Sequence, residues 1–161
     1  MNKCELYLKQ EIKLYKKATW RNKEDWIEFF KWILKNGELF KKVDLETSLK
    51  VSKELDSTMK HCFKNCWDVL QYYPQLKYYT GYAWNDTIPL PLEHSWLVDK
   101  NGIVIEPTFI IYERKFSENY FGVNIPSNIL NKLVSEKQIV TNHLFDYFMS
   151  IKGEIKIEIK N

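Results

Sequence analysis

A cysteine, a histidine and a glutamate stand in this chain in the order and setting that thiol-based acyl transfer requires. Cys62 heads H-C-F-K-N-C-W-D-V-L, a stretch of helical character. His94 opens the strand-like E-H-S-W-L-V-D, and Glu106 lies in the next strand-like run, I-V-I-E-P-T. A thiol becomes an effective nucleophile when a base takes its proton, and the base works best when a third group holds its ring. One helix and one hairpin can supply all three.

Cys62 is expected in the first turn of its helix, where unsatisfied amides and the helix dipole favour a thiolate. A neighbouring imidazolium favours it further, and the same amides can receive the oxyanion of a tetrahedral intermediate. The competing role for a free cysteine is that of a small buried hydrophobe. Cys66, one turn later, shares the helical face of Cys62. It could be an alternative nucleophile or a resolving thiol, but its deeper position lacks free amides and points to the core.

The hairpin decides whether His94 and Glu106 can meet. D-K-N-G suits a type I turn followed by Gly102 in the left-handed conformation, a three-residue loop with a bulge. That turn sets Asp99 opposite Ile103, Trp96 opposite Glu106, and His94 opposite Thr108. His94, Trp96, Glu106 and Thr108 then share one face, with Glu106 a diagonal neighbour of His94 about 7 Å away between backbones. A two-residue turn would shift the register by one and separate them.

Asn65, Trp96 and Thr108 are supporting candidates, Trp96 as a roof over the imidazole. Glu93 could also orient His94, but it faces the other way from its strand neighbour, so Glu106 is preferred. His61 is a poorer base, because successive helical residues point in different directions. His143, in an apolar helical segment, is expected to be structural. Cys62, Cys66, His61 and His94 could be gathered around zinc, yet C-x-x-x-C without a second spaced pair is a weak metal signature. No metal and no cofactor is expected. There is no glycine-rich phosphate loop, no H-E-x-x-H and no G-x-S-x-G.

The elements that must position these residues follow from patterning. Residues 22–36 form a helix with Asn22 as cap, an apolar face from Trp26 to Leu34, and Gly37 as stop. Residues 2–18 are a weaker helix, and 38–56 are open between short strands and helical turns. The cysteine helix is expected over 59–72, capped by Ser57 or Thr58 and blocked by Pro74. Strands are expected over 76–84, 92–98 and 103–109, and in Y-F-G-V-N-I-P. A helix opens after Pro126 with Ser127 as cap, T-N-H-L-F-D-Y-F-M is helical, and I-K-I-E-I-K alternates like an edge strand. Helices, then an antiparallel meander, then helices make an α+β fold.

At 161 residues the chain is expected to be one domain: a helical region over 1–56, a catalytic-like core over 57–125, and a helical region with tail over 126–161. With 24 basic and 21 acidic residues the surface is mixed, so nucleic acid is not indicated as a partner. Three cysteines make no disulfide framework, and no apolar run serves as a signal peptide or membrane span. A cytoplasmic protein with reduced thiols and no membrane partner is expected.

The series C-F-K-N-C-W, Y-Y-T-G-Y-A, E-H-S-W-L-V-D and I-E-P-T resembles the transglutaminase-like pattern, which runs from a Cys at a helix start through G-Y to H-A-W and D-P-T. It also resembles small bacterial and phage proteins that pair C-F-x-N-A with E-H-A-W-x-V-D, D-P-T and Y-F-G-V, the last matched by Tyr120 to Val123. The resemblance covers residues 60–125. It implies a papain-like α+β core in which a nucleophile-bearing helix packs on an antiparallel sheet, with additional N- and C-terminal helices. It makes Cys62 the nucleophile and His94 the base, and puts Glu106 in the place of the family's Asp. Ala stands in the similar small proteins where this chain has Cys66, which favours Cys62. Glu for Asp adds a methylene and should loosen the hold on His94.

The implied activity is that of a cysteine hydrolase or acyltransferase (peptidase, deamidase or transglutaminase) acting on a protein, a peptide or a small amide. The alternative is a non-catalytic binding or regulatory protein of the same fold, with Tyr72, Tyr73, Tyr78, Tyr79 and Trp84 forming a partner surface.

Overall fold

Asn2 begins the fold with a capping box. Its side chain accepts the Glu5 amide while the Glu5 carboxylate accepts its own, and helix α1 (Lys3–Lys17) follows. The computed structural model describes residues 1–84, 90–112, 119–137 and 144–153. After α1 come α2 (Lys23–Asn36), β1 (Glu38–Phe40), α3 (Leu45–Glu54), α4 (Cys62–Tyr72), β2 (Lys77–Trp84), β3 (Leu92–Val98) and β4 (Val104–Ile105). A 3-10 turn (Phe109–Tyr112), β5 (Asn119–Asn124), α5 (Ser127–Lys137) and α6 (Leu144–Ile151) complete them. His143 and the alternating segment 155–160 lie outside the described residues.

The strands form one curled antiparallel sheet in the order β1-β5-β2-β3-β4, and the fold is α+β. Central β2 pairs with β3 on one side and β5 on the other, and six successive residues of it, Tyr78 to Ala83, are buried. Such a strand needs cover on both faces. On one face, Tyr78, Leu97 and Ile105 meet Val51 of α3, Cys66, Val69 and Leu70 of α4, and Leu130 of α5. On the same face, Tyr82, Phe121 and Val123 meet Leu8 of α1, Phe29 and Ile33 of α2, and Phe148 of α6. The other face carries Tyr79, Trp96, Val98, Val104 and Tyr120, closed by Phe40 and Phe109. His94 lies on this second face, in register with Gly81 and two residues before Trp96. Among the described residues, no helix is long and apolar enough to cross a membrane.

Several elements depart from their predicted bounds for local reasons. The ambiguous 38–56 stretch divides into β1 and α3, the latter capped by the Asp44 carboxylate on the Thr47 amide. Asn22 occupies its cap position without a side-chain bond. Gly37 does end α2, but in extended backbone with φ −73° rather than left-handed. Its missing side chain is needed because a Cβ would come 2.7 Å from the Phe121 ring. Ser127 is the first residue of α5 rather than its cap. The predicted 103–109 strand stops at Ile105, because Pro107 has no N–H for a ladder and the next two amides turn back to the Glu106 carboxylate.

The cross-strand pair Gly81 and Gly122 sits at the middle of the curl. A Cβ at Gly122 would come 2.3 Å from the Thr80 carbonyl oxygen and 2.7 Å from the Trp96 ring. Gly122→Ala should therefore lower the unfolding free energy by about 1–3 kcal/mol, the range for overpacking a filled core. A urea titration that finds the variant as stable as the parent would contradict so tight a closure.

Candidate active site

The cysteine helix begins three residues later than predicted, which makes Cys62 its first residue. The delay has a backbone cause. Thr58 to His61 form a turn closed by the His61 amide on the Thr58 carbonyl at 3.3 Å, with Lys60 in the left-handed region at φ 66°. Neither Ser57 nor Thr58 caps the helix. His61 takes the cap position and makes no side-chain cap bond, so the helix end at Cys62 is left open. The helix is docked beside His94 by Cys66, whose thiol donates to the carbonyl of Ser95 at 3.2 Å. Cys66 is fully buried, and burial holds its thiol well above the ordinary range. This is the core role expected for it.

The hairpin follows the predicted register. Leu97 pairs with Ile105 and Val98 with Val104, the Asp99 amide donates to Ile103, and Gly102 is left-handed at φ 77°. Trp96 is therefore aligned with Glu106, just past the end of β4, and Glu106 is brought to His94. Its Oε2 lies 2.6 Å from His94 Nε2. Its Oε1 accepts the amides of Thr108 at 2.9 Å and Phe109 at 3.0 Å, so one carboxylate caps the 3-10 turn and holds the imidazole. The extra methylene of Glu over Asp is accommodated by this backward fold. Glu93 is exposed and faces away, where the Tyr82 hydroxyl donates to it.

The other face of the imidazole problem is Cys62. Its side chain lies close enough to the His94 ring to act on its charge, and with Nε2 engaged by Glu106 the ring nitrogen left free to exchange a proton is Nδ1. Cys62 retains 7% of its surface and His94 only 2%, so the pair is nearly sealed from water. Burial pulls the imidazole down, but the neighbouring Glu106 and Cys62 outweigh it and raise the ring from 6.5 to about 10. Both neighbours thus favour the protonated form of the ring.

Of the supporting residues, Asn65 and Thr108 join the site directly: the Asn65 amide donates to the Thr108 hydroxyl at 2.9 Å. Trp96 does not roof His94. Its ring stacks with Tyr79 at 6.3 Å and leans on Tyr120 at 5.2 Å. The roof is Phe109, parallel to the imidazole within 8° at a centroid distance of 3.9 Å, a geometry that excludes water and favours a cationic ring. Sequence reasoning missed Phe109, although its place three residues after Glu106 is a capping spacing. It also missed Ser48, which accepts the Glu106 amide at 2.8 Å from a helix 58 residues away and left no local signal.

The tyrosine surface of the alternative reading is not there, since Tyr78 and Tyr79 are buried and only Tyr72 is strongly exposed. Among the described residues, no three of His, Cys, Asp and Glu are arranged to hold a metal ion. Comparison with family models, curated proteins and solved structures finds no match to this chain.

A histidine raised above 6.5 stabilises the fold in full below that pH, and the contribution is lost as pH climbs through about 10. Glu106→Gln keeps the shape and removes the charge. It should cost about 1–3 kcal/mol near pH 6, with the gap to the parent narrowing as pH is raised to about 10. Paired urea titrations measure this, and a gap independent of pH would mean that His94 is neutral in the folded protein.

Proposed function

We propose that this chain is a cysteine-nucleophile enzyme acting on an amide or related acyl bond, with Cys62, His94 and Glu106 as its catalytic set. One arrangement carries the reading: an imidazole held on Nε2 by a buried carboxylate and neighboured by a thiol at the open N-terminus of a helix. The transglutaminase-like or papain-like grouping belongs to the same proposal. It is supported by the H-S-W and I-E-P-T signatures and by a helix bearing the thiol packed against an antiparallel sheet.

The steps follow from which atoms carry charge. The Cys62 sulfur attacks the acyl carbon, and the thiol proton resides on His94 Nδ1. The carbonyl oxygen takes negative charge and is stabilised by the first-turn amides, which the cap side chain leaves unclaimed. The C–N bond then breaks as Nδ1 returns the proton to the leaving amine, and a thioester to Cys62 remains. Attack by water gives hydrolysis, whereas attack by an amine gives acyl transfer, the proton passing through His94 in either case. Glu106 keeps the ring in the tautomer with Nε2–H and stabilises the imidazolium.

A generic acyl donor tests this without knowledge of the substrate. p-Nitrophenyl acetate should give a burst of about one equivalent of nitrophenolate and an acetyl group on the Cys62 peptide by mass spectrometry. Cys62→Ala should abolish the burst, and His94→Ala should slow it by about 10²–10⁴. Faster deacylation on adding n-butylamine identifies acyl transfer. Slow, equal acetylation of all three cysteines would instead mark a non-catalytic binding protein.

A further inference from the structure

Three side chains from three stretches make the site, and something must hold the turn that precedes Cys62 against the loop that carries Glu106. Asn65 lies between them and is 3% exposed. Its Oδ1 accepts the Thr58 amide at 3.0 Å, and its Nδ2 donates to the Thr58 carbonyl at 2.8 Å. Nδ2 also donates to the Thr108 hydroxyl at 2.9 Å, so both amide hydrogens are used.

Each end of this link leads to a reacting group. Thr58 opens the turn through left-handed Lys60 that delivers Cys62. Thr108 donates its amide to Glu106 Oε1, and Glu106 Oε2 holds His94. Cys62 and His94 are themselves neighbours, which closes the circuit. A left-handed residue with a side chain is strained, and such a turn persists when surrounding bonds hold it. The planar amide of Asn65 pairs with Thr58 as one backbone unit pairs with another. Aspartate lacks the donors, and leucine fills the shape but makes no bond.

We propose that Asn65 is a positioning residue for the thiol–imidazole pair, setting the spacing of Cys62 against His94 by tying the Thr58–His61 turn to the Thr108 hydroxyl. The inference rests on the reading of Cys62, His94 and Glu106 as a catalytic set and adds to it the element that keeps nucleophile and base together. Misplacement by about 1 Å can cost up to 10²-fold in rate, so a link between the two halves has a consequence that stability alone does not register.

The test compares alkylation of Cys62 by anionic iodoacetate and neutral iodoacetamide, followed by peptide mass spectrometry. Cys4 and Cys66 are fully buried, so native labelling is read at Cys62. The His94 ring faces the Cys62 sulfur from α4 and the Glu106 carboxylate from its loop, with the rings of Phe109 and Tyr120 beside it. Its imidazolium is the cation among these contacts, and it draws the anionic reagent to the sulfur. Surface lysines act equally in parent and variants.

The parent should prefer iodoacetate near neutral pH and lose that preference as pH rises through the His94 transition. Thr108→Val, which removes only the hydroxyl acceptor, should cut the preference about tenfold and move its midpoint to lower pH. Thr108→Ser should restore both, and Asn65→Leu should lose at least as much as Thr108→Val. The inference is overturned if Thr108→Val keeps the parental preference and midpoint, even with a lower melting temperature, since Asn65 would then only support the fold. A parent chain without any pH-dependent preference overturns the catalytic reading itself, and this inference with it.

Discussion

A carboxylate removed from water must collect donors at nearly every lone pair, because an uncompensated buried charge costs several kcal/mol. Glu106, fully buried, collects three: the amides of Thr108 and Phe109 on one oxygen and the ring nitrogen of His94 on the other. Its own amide is met by Ser48, whose hydroxyl in turn donates to the Asp44 carbonyl at the start of α3. With every donor required, the loop from 106 to 109 has little freedom. The plane of the imidazole, the position of Phe109 above it, and the docking of α3 all follow from satisfying one anion.

Cys62 is held by the opposite kind of constraint. The helix start at Cys62 is left without a side-chain cap, while α1 and α3 are capped by Asn2 and Asp44. An uncapped helix end gives up about 1 kcal/mol. It also leaves first-turn amides without a cap side chain, so the concession in stability coincides with the thiol. The same helix is anchored by atoms that take no part in the chemistry: Cys66 on the Ser95 carbonyl, and Val69 and Leu70 in the core. Two cysteines four residues apart thus have divided roles, one at an open end and one sealed in apolar packing.

Electrostatically the site sets an imidazole beside a carboxylate and a thiol in a nearly dry setting. Burial alone would leave His94 neutral, but Glu106 and Cys62 together reverse that and favour the imidazolium. Phe109, stacked on the ring, shields it from water and presents a π face to the positive charge.

Read alone, the order of amino acids determined what repeats over short distances. The apolar spacing of Trp26 to Leu34 marked α2, the D-K-N-G turn set the register that aligns Trp96 with Glu106, and alternation predicted the faces of β3. From that register the meeting of His94 and Glu106 could be derived, since backbone geometry carries side chains at a period of two. What the tertiary structure decided was everything that depends on partners distant in sequence. Phe109 rather than Trp96 covers the imidazole, Ser48 reaches Glu106 across 58 residues, and Asn65 joins Thr58 to Thr108. The late start of α4 belongs with these, because Lys60 lies in the left-handed region within a turn that Asn65 holds from inside the helix. Propensity and periodicity sense neighbours along the chain, whereas a buried donor is satisfied by whichever acceptor the fold brings within 3 Å, and that choice is made only when the sheet and helices close.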